Sequence, residues 1–218
     1  MLPTDAVIAD HIMALYHYDA LHVAWDYLEQ RSDDDGIRWG LASLPGYDLI
    51  VLEGTSSIRD VFRDFAVLPV RLYEHAELGP LHFGFWDGMA EAWAAIKPRL
   101  KQPAIVAGHS LGAAHAAILC AQMALAGVPP AYSVRFGEPL TGTLTLESRI
   151  CDIPQKVYRN FGDVIARMPW PTPFFQCCPS YRPLTRVKVK PGLTEYREFG
   201  PFAWHHMRLY RQAAQGQA

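Results

Sequence analysis

The 218-residue sequence predicts an α/β fold, with a mostly parallel central sheet covered by helices on both faces. Short apolar runs alternate with helical patterns from Gly46 onward. The long helical pattern over residues 111–126 is followed by Gly127 and Pro129, the usual stop chemistry. Half of the residues are hydrophobic and 19% are charged, which suits a compact chain with a substantial core. The length fits one large domain better than two. Residues 1–218 are therefore read as a single domain, with residues 1–35 as an N-terminal helical segment.

Apolar residues recur at three- and four-residue steps over 6–31 and predict a helix. Asp33, Asp34, Asp35 and Gly36 end it as a solvated turn. Residues 48–53 read as a buried strand and 58–65 as an amphipathic helix. A helix over 89–100 ends near Pro98. A strand over 104–107 leads into the helix over 111–126. Further strands are expected at 132–136, 156–160 and 185–189, and a last helix at 207–213.

The formal net charge of −2 provides no bulk field for nucleic acid or an anionic membrane, and no nucleic-acid partner is expected. Arg182, Arg186, Lys188 and Lys190 gather loosely and read as the solvent face of a strand, with an anion site as the alternative. Residues 1–10 carry Asp5 and Asp10 where a secretory leader would be apolar. The most apolar stretch, residues 113–128, is shorter than the roughly 20 residues of a spanning helix. A cytoplasmic location is expected, with release by another route left open. Cys120, Cys151, Cys177 and Cys178 fit no zinc spacing and are expected to be reduced, so no metal is called for.

The strongest chemical signal is Gly108-His109-Ser110-Leu111-Gly112, a G-x-S-x-G motif between a predicted strand and a predicted helix. A serine there sits on a sharp turn with its hydroxyl above the sheet, and a side chain at either glycine would collide with neighbouring backbone. The pattern alone arises by chance in roughly 7% of chains this long, so its context carries the weight. Such a serine needs a base, and the base needs an acid, in the chain order Ser, Asp or Glu, His. His115 lies on the helix that starts at Ser110 and cannot turn back, which leaves His205 or His206. The candidate acids are Glu138, Glu147, Asp152, Asp163, Glu195 and Glu198. Spacing favours Asp163, which follows a strand and Gly162, while an Asx-turn role is the alternative.

Six segments in order resemble the class 3, fungal-type lipases of the α/β-hydrolase fold. Ile50 through Thr55 resembles the strand ending in R-G-T or R-G-S, and Leu81 through Phe85 the H-x-G-F segment. Gly108 through Gly112 is the elbow, and Phe136-Gly137-Glu138-Pro139 resembles F-G-x-P. Tyr158 through Val164 resembles V-N-x-x-D-x-V, and His205 through Tyr210 resembles H-S-M-x-x-Y. The resemblance implies Ser110 as nucleophile, Asp163 as acid and His205, rather than His206, as base. It implies an oxyanion hole from Thr55 and from the backbone N–H of Leu111. It implies a lipase or carboxylesterase acting through an acyl-enzyme on a lipid or other small ester, without cofactor, and compatible with transient contact at a lipid interface. Glu53 departs from the family's arginine and is expected to point away from the oxyanion site. Residues 58–65 stand where fungal members carry a lid.

Phe161, Met168, Trp170, Phe174 and Phe175 cluster near the acid loop, either as an acyl groove or as loop packing. A phospholipase or acyltransferase on the same triad is the alternative activity. A catalytically inactive lipase-fold binding protein, or a partner protein docking through residues 58–65, are the rivals from other classes.

Overall fold

The computed structural model describes residues 1–16, 23–29, 37–54, 72–168 and 184–216. Among them, a seven-stranded sheet is built from β1 (Tyr27–Leu28), β2 (Trp39–Leu44), β3 (Tyr47–Leu52), β6 (Ala104–His109), β7 (Tyr132–Phe136), β8 (Gln155–Asn160) and β9 (Leu184–Val187), in that spatial order. The pairs from β3 through β9 are parallel, and β1 and β2 add an antiparallel edge. A separate hairpin joins β4 (Leu72–His75) to β5 (Gly79–His82). The fold is the expected α/β-hydrolase type, a mostly parallel sheet with helices on both faces.

Strand alternation explains the layers. Successive side chains leave opposite faces of a strand. On β3, Leu49 and Val51 enter the core beneath α1 (Asp5–Leu15), together with Ile105 and Ala107 of β6. Ile50 and Leu52 enter the opposite core with Val106. That second core is covered by α2 (Phe83–Trp86), α3 (Met89–Ile96), α4 (Leu111–Leu125) and α5 (Leu144–Ile150). Ala113, Ala114, Ala116, Ala117 and Ala121 are all buried on α4, so small side chains let this helix lie close to the sheet. Two further helices, α6 (Leu193–Phe199) and α7 (Met207–Ala214), complete the described chain, and Met207 and Tyr210 join α1 in the first core. Among the described residues, no helix is long and apolar enough to cross a membrane.

The N-terminal helix is shorter than its periodicity suggests. It stops at Leu15, and Tyr27 and Leu28 pair with Leu41 and Gly40 as a strand. The Trp25 ring explains the difference. It lies so close over Gly40 that a methyl group there would sit 2.4 Å from it, and its edge contacts His11. Of the apolar residues read as one helical stripe, Val7, Met13 and Leu15 lie on the helix, Val23 and Trp25 lie in neither helix nor strand, Leu28 lies on β1, and Tyr18 and Leu21 fall outside the described residues. Strand β2, the β4–β5 hairpin and helices α2, α5 and α6 are additions to the expected set. Thr55, the Asp33–Gly36 turn, residues 58–65, Trp170, Phe174, Phe175, Cys177, Cys178 and Arg182 lie outside the described residues. Cys120 is a buried free thiol and Cys151 an exposed one.

Candidate active site

The elbow is set by backbone sterics. Ser110 has φ 59° and ψ −127°, and among the described residues it is the one non-glycine residue with positive φ. Such a conformation costs of the order of 1–3 kcal/mol, so the surroundings must enforce it. A Cβ on Gly108 would meet the Gly112 carbonyl oxygen at 2.1 Å, and one on Gly112 would meet the Leu52 oxygen at 2.2 Å. Strand, turn and helix can approach only because both are glycine. The Ser110 N–H donates to the Phe136 carbonyl at 3.0 Å, which ties the turn to the end of β7. Leu111 opens α4, so its N–H has no partner within the helix and lies at the positive end of the helix dipole.

The next residue along β7 places the histidine. Gly137 has φ 58°, and a Cβ there would lie 2.8 Å from Cε1 of His205 and 3.0 Å from Oδ2 of Asp163. The imidazole and carboxylate therefore rest on the backbone adjoining the elbow's anchor. Nδ1 of His205 and Oδ2 of Asp163 are 2.7 Å apart, and both residues are fully buried. Asp163 can only accept, so Nδ1 carries the proton. Nε2 of His205 has no hydrogen-bond partner among the described residues. Asp163 is held in turn: Oδ1 accepts from the Ala166 N–H at 3.1 Å, and Oδ2 also accepts from the Tyr210 hydroxyl.

The remaining candidates are engaged elsewhere. His206 caps α7 by accepting from the Arg208 N–H at 3.3 Å, and burial pushes its pKa down to about 4. Glu138 pairs with Arg135 at 3.2 Å, both fully buried, and accepts from Thr141. Glu147 is buried on α5 and Asp152 is exposed, and Glu195 and Glu198 belong to α6. His115 is a core residue of α4, also pushed to about 4 by burial. Glu53 pairs with Arg38 at 3.0 Å, while burial raises its carboxyl to about 7.

Sequence reasoning passed over four positioning residues. Tyr210 closes the carboxylate shell, and its hydroxyl also accepts from the Asn160 N–H at 3.1 Å. The Asn160 amide donates to the carbonyls of Val189 and Trp204, which fixes the segment before His205. His109, within the elbow, donates through Nε2 to the His205 carbonyl at 2.8 Å. Burial holds its pKa well below the ordinary value, so it is neutral and Nδ1 accepts from the Tyr16 hydroxyl at 3.1 Å. The same hydroxyl accepts from the Gly54 N–H at 3.1 Å, directly before Thr55. Tyr210 and Asn160 stood within the quoted motifs, but no pattern marked Tyr16.

The family model for class 3 lipases matches residues 49–172, more than half of the sequence and a span that contains the elbow, Phe136-Gly137 and Asp163. The chain belongs to the class 3 lipases. This class 3 lipase is accordingly a carboxylic ester hydrolase. Solved structures share its fold. A fungal lipase is 14% identical, with a TM-score of 0.67 over 86% of this chain and 80% of its own. The Lip2 lipase from Yarrowia lipolytica is 19% identical, with a TM-score of 0.59 over 77% of this chain and 65% of its own. A triacylglycerol lipase whose catalytic centre is formed by a serine protease triad is 21% identical, with a TM-score of 0.52 over 64% and 58%. The chain thus spans less than two thirds of the last two. No curated protein matches this class 3 lipase.

Proposed function

We propose that this class 3 lipase cleaves carboxylic esters of the lipid type through an acyl-enzyme on Ser110. Nε2 of His205 takes the Ser110 proton as Oγ bonds to the ester carbonyl carbon. The carbonyl electron pair moves onto oxygen, and that oxyanion is held by the Leu111 N–H and by the N–H and hydroxyl of Thr55. The intermediate collapses with its electrons returning to the carbonyl. The alkoxide leaves and takes the proton from His205. Water then attacks the acyl-enzyme with His205 again as base, releasing the acid and restoring Ser110. Asp163 keeps Nδ1 protonated and stabilises the imidazolium, and Tyr210 orients Asp163.

The observation that carries the reading is His205, bonded at 2.7 Å through Nδ1 to a buried carboxylate, with Nε2 left without a partner. Apo geometry of this kind commonly tightens once substrate binds. Hydrolysis of p-nitrophenyl butyrate by wild type and Ser110→Ala is the test. Loss of essentially all turnover in the variant, and a covalent adduct at Ser110 with an organophosphonate ester, are expected. Turnover surviving in Ser110→Ala sinks the assignment.

A further inference from the structure

Two cavities adjoin on the outer flank of the acid loop. One, of about 540 Å³, is walled by Arg159, Arg167, Arg186 and Lys188, with Phe161 between them, and no carboxylate lines it among the described residues. The other, of about 730 Å³, is walled by Phe161, Val164, Met168 and Phe202, with Arg167 at its edge. Phe161 and Arg167 belong to both walls, so a charged chamber and an apolar one meet at one aromatic ring. Neither Ser110 nor His205 is in either wall.

The charged chamber is built by the sheet register. Arg159 on β8 and Arg186 on β9 are direct partners across a parallel ladder, so their side chains share a face. Like charges at paired positions repel. Lys188 stands two residues beyond Arg186, with its ammonium 5.5 Å from the centre of the Phe161 ring. Arg167 reaches back to donate to the Phe161 carbonyl at 3.0 Å, which holds that ring's backbone in place. Phe161 is 66% exposed and Val164 38% exposed, so apolar surface lies beside the four cations. A chain whose net charge is −2 has concentrated positive charge at one place.

We propose that these joined cavities form a surface site for an anionic phospholipid, its phosphate among Arg159, Arg167, Arg186 and Lys188 and its acyl portion along Phe161, Val164 and Phe202. Guanidinium groups suit the oxygens of a phosphate, and four cations around one chamber suit its charge. The apolar chamber distinguishes a lipid from free phosphate, which would leave that chamber empty. Since the catalytic serine and histidine lie outside both walls, the bound lipid anchors the enzyme and is not the ester under attack. The choice of a lipid accords with the proposed lipid-ester activity, but binding requires no hydrolysis.

The test is sedimentation with vesicles of diether phosphatidylcholine, with and without diether phosphatidic acid, which offer no ester to cleave. Wild type is expected to bind the phosphatidic acid vesicles and to be released by salt. Arg186→Glu/Lys188→Glu is expected to lose about tenfold or more in binding. Lys97→Glu/Lys101→Glu, an equal charge change elsewhere, is expected to keep it. Turnover of p-nitrophenyl butyrate by the first double variant is expected to be unchanged, which separates this site from the Ser110 reading. Equal loss in both double variants, equal binding to both vesicle types, or binding of inorganic phosphate without vesicle binding each overturns the proposal.

Discussion

Tyr210 donates its hydroxyl proton to Oδ2 of Asp163, the same oxygen that receives Nδ1–H of His205. The phenol is fully buried, and burial together with the adjacent carboxylate holds its pKa well above the ordinary value, so it remains a donor. Tyr210→Phe removes that donor and leaves the Asn160 N–H without its acceptor. A hydrogen bond to a charged group contributes about 1.5–3 kcal/mol. The expected outcome is a fall in kcat of about tenfold or more with KM little changed, measured on a soluble ester.

Gly137 is the floor on which the imidazole rests. Gly137→Ala must place a methyl within 2.8 Å of the His205 ring, at a backbone conformation unfavourable to alanine. The ring is expected to shift, and because a displacement of about 1 Å costs about a hundredfold in rate, kcat should fall by that order. Circular dichroism showing native fold content alongside that loss would separate displacement of the histidine from unfolding.

Glu138 and Arg135 form an ion pair with no exposure of either side chain. Removal of one partner leaves a charge buried alone, a loss of about 3–5 kcal/mol. Urea denaturation of Glu138→Ala should show a stability decrease of that size. An unchanged midpoint would mean that the pair contributes no net stability.

Glu53 gives the fold a pH dependence of known sign. Its carboxyl titrates at about 7 in the folded protein against 4.5 as the reference, chiefly through burial that Arg38 only partly offsets. The folded state thus binds the proton more tightly than the unfolded state. The stability that protonation contributes is complete below about 4.5 and is lost as pH rises through about 7. Glu53→Gln should flatten this part of the stability profile and raise stability relative to wild type above neutral pH. Chemical denaturation at a series of pH values measures both.

The features legible in the sequence are those where one residue type answers one steric or chemical demand. The elbow is the clearest, since Gly108 and Gly112 each face backbone at distances that admit no Cβ. The apolar stretches within β3 and β6 were legible because strands buried on both faces are largely apolar, whereas β7 carries the buried Ser133 and Arg135 between its apolar residues. Strand β2 was not, since Trp39–Leu44 contains Gly40 and Ser43 and gains its place by pairing with β3. The extent of the first helix was misread because Trp25 and Leu28 fall at helical spacing yet fill space over another strand. His205 and His206 are adjacent, and spacing alone left both open; the resemblance favoured His205, which lies against Asp163, while His206 caps α7. Tyr16 was silent because its hydroxyl meets His109 and Gly54, which lie 93 and 38 residues away along the chain.

That phenol has a consequence for anyone trimming or tagging the molecule. The first sixteen residues contribute no acid, base or nucleophile, yet their last side chain bolts the strand before Thr55 to the imidazole that props up the main chain of His205. A shortened variant starting after residue 16 would keep Ser110, Asp163 and His205 and lose the hydroxyl that joins Gly54 to His109. Residue 16, just past the end of the opening helix, thus helps to brace the backbone that carries His205.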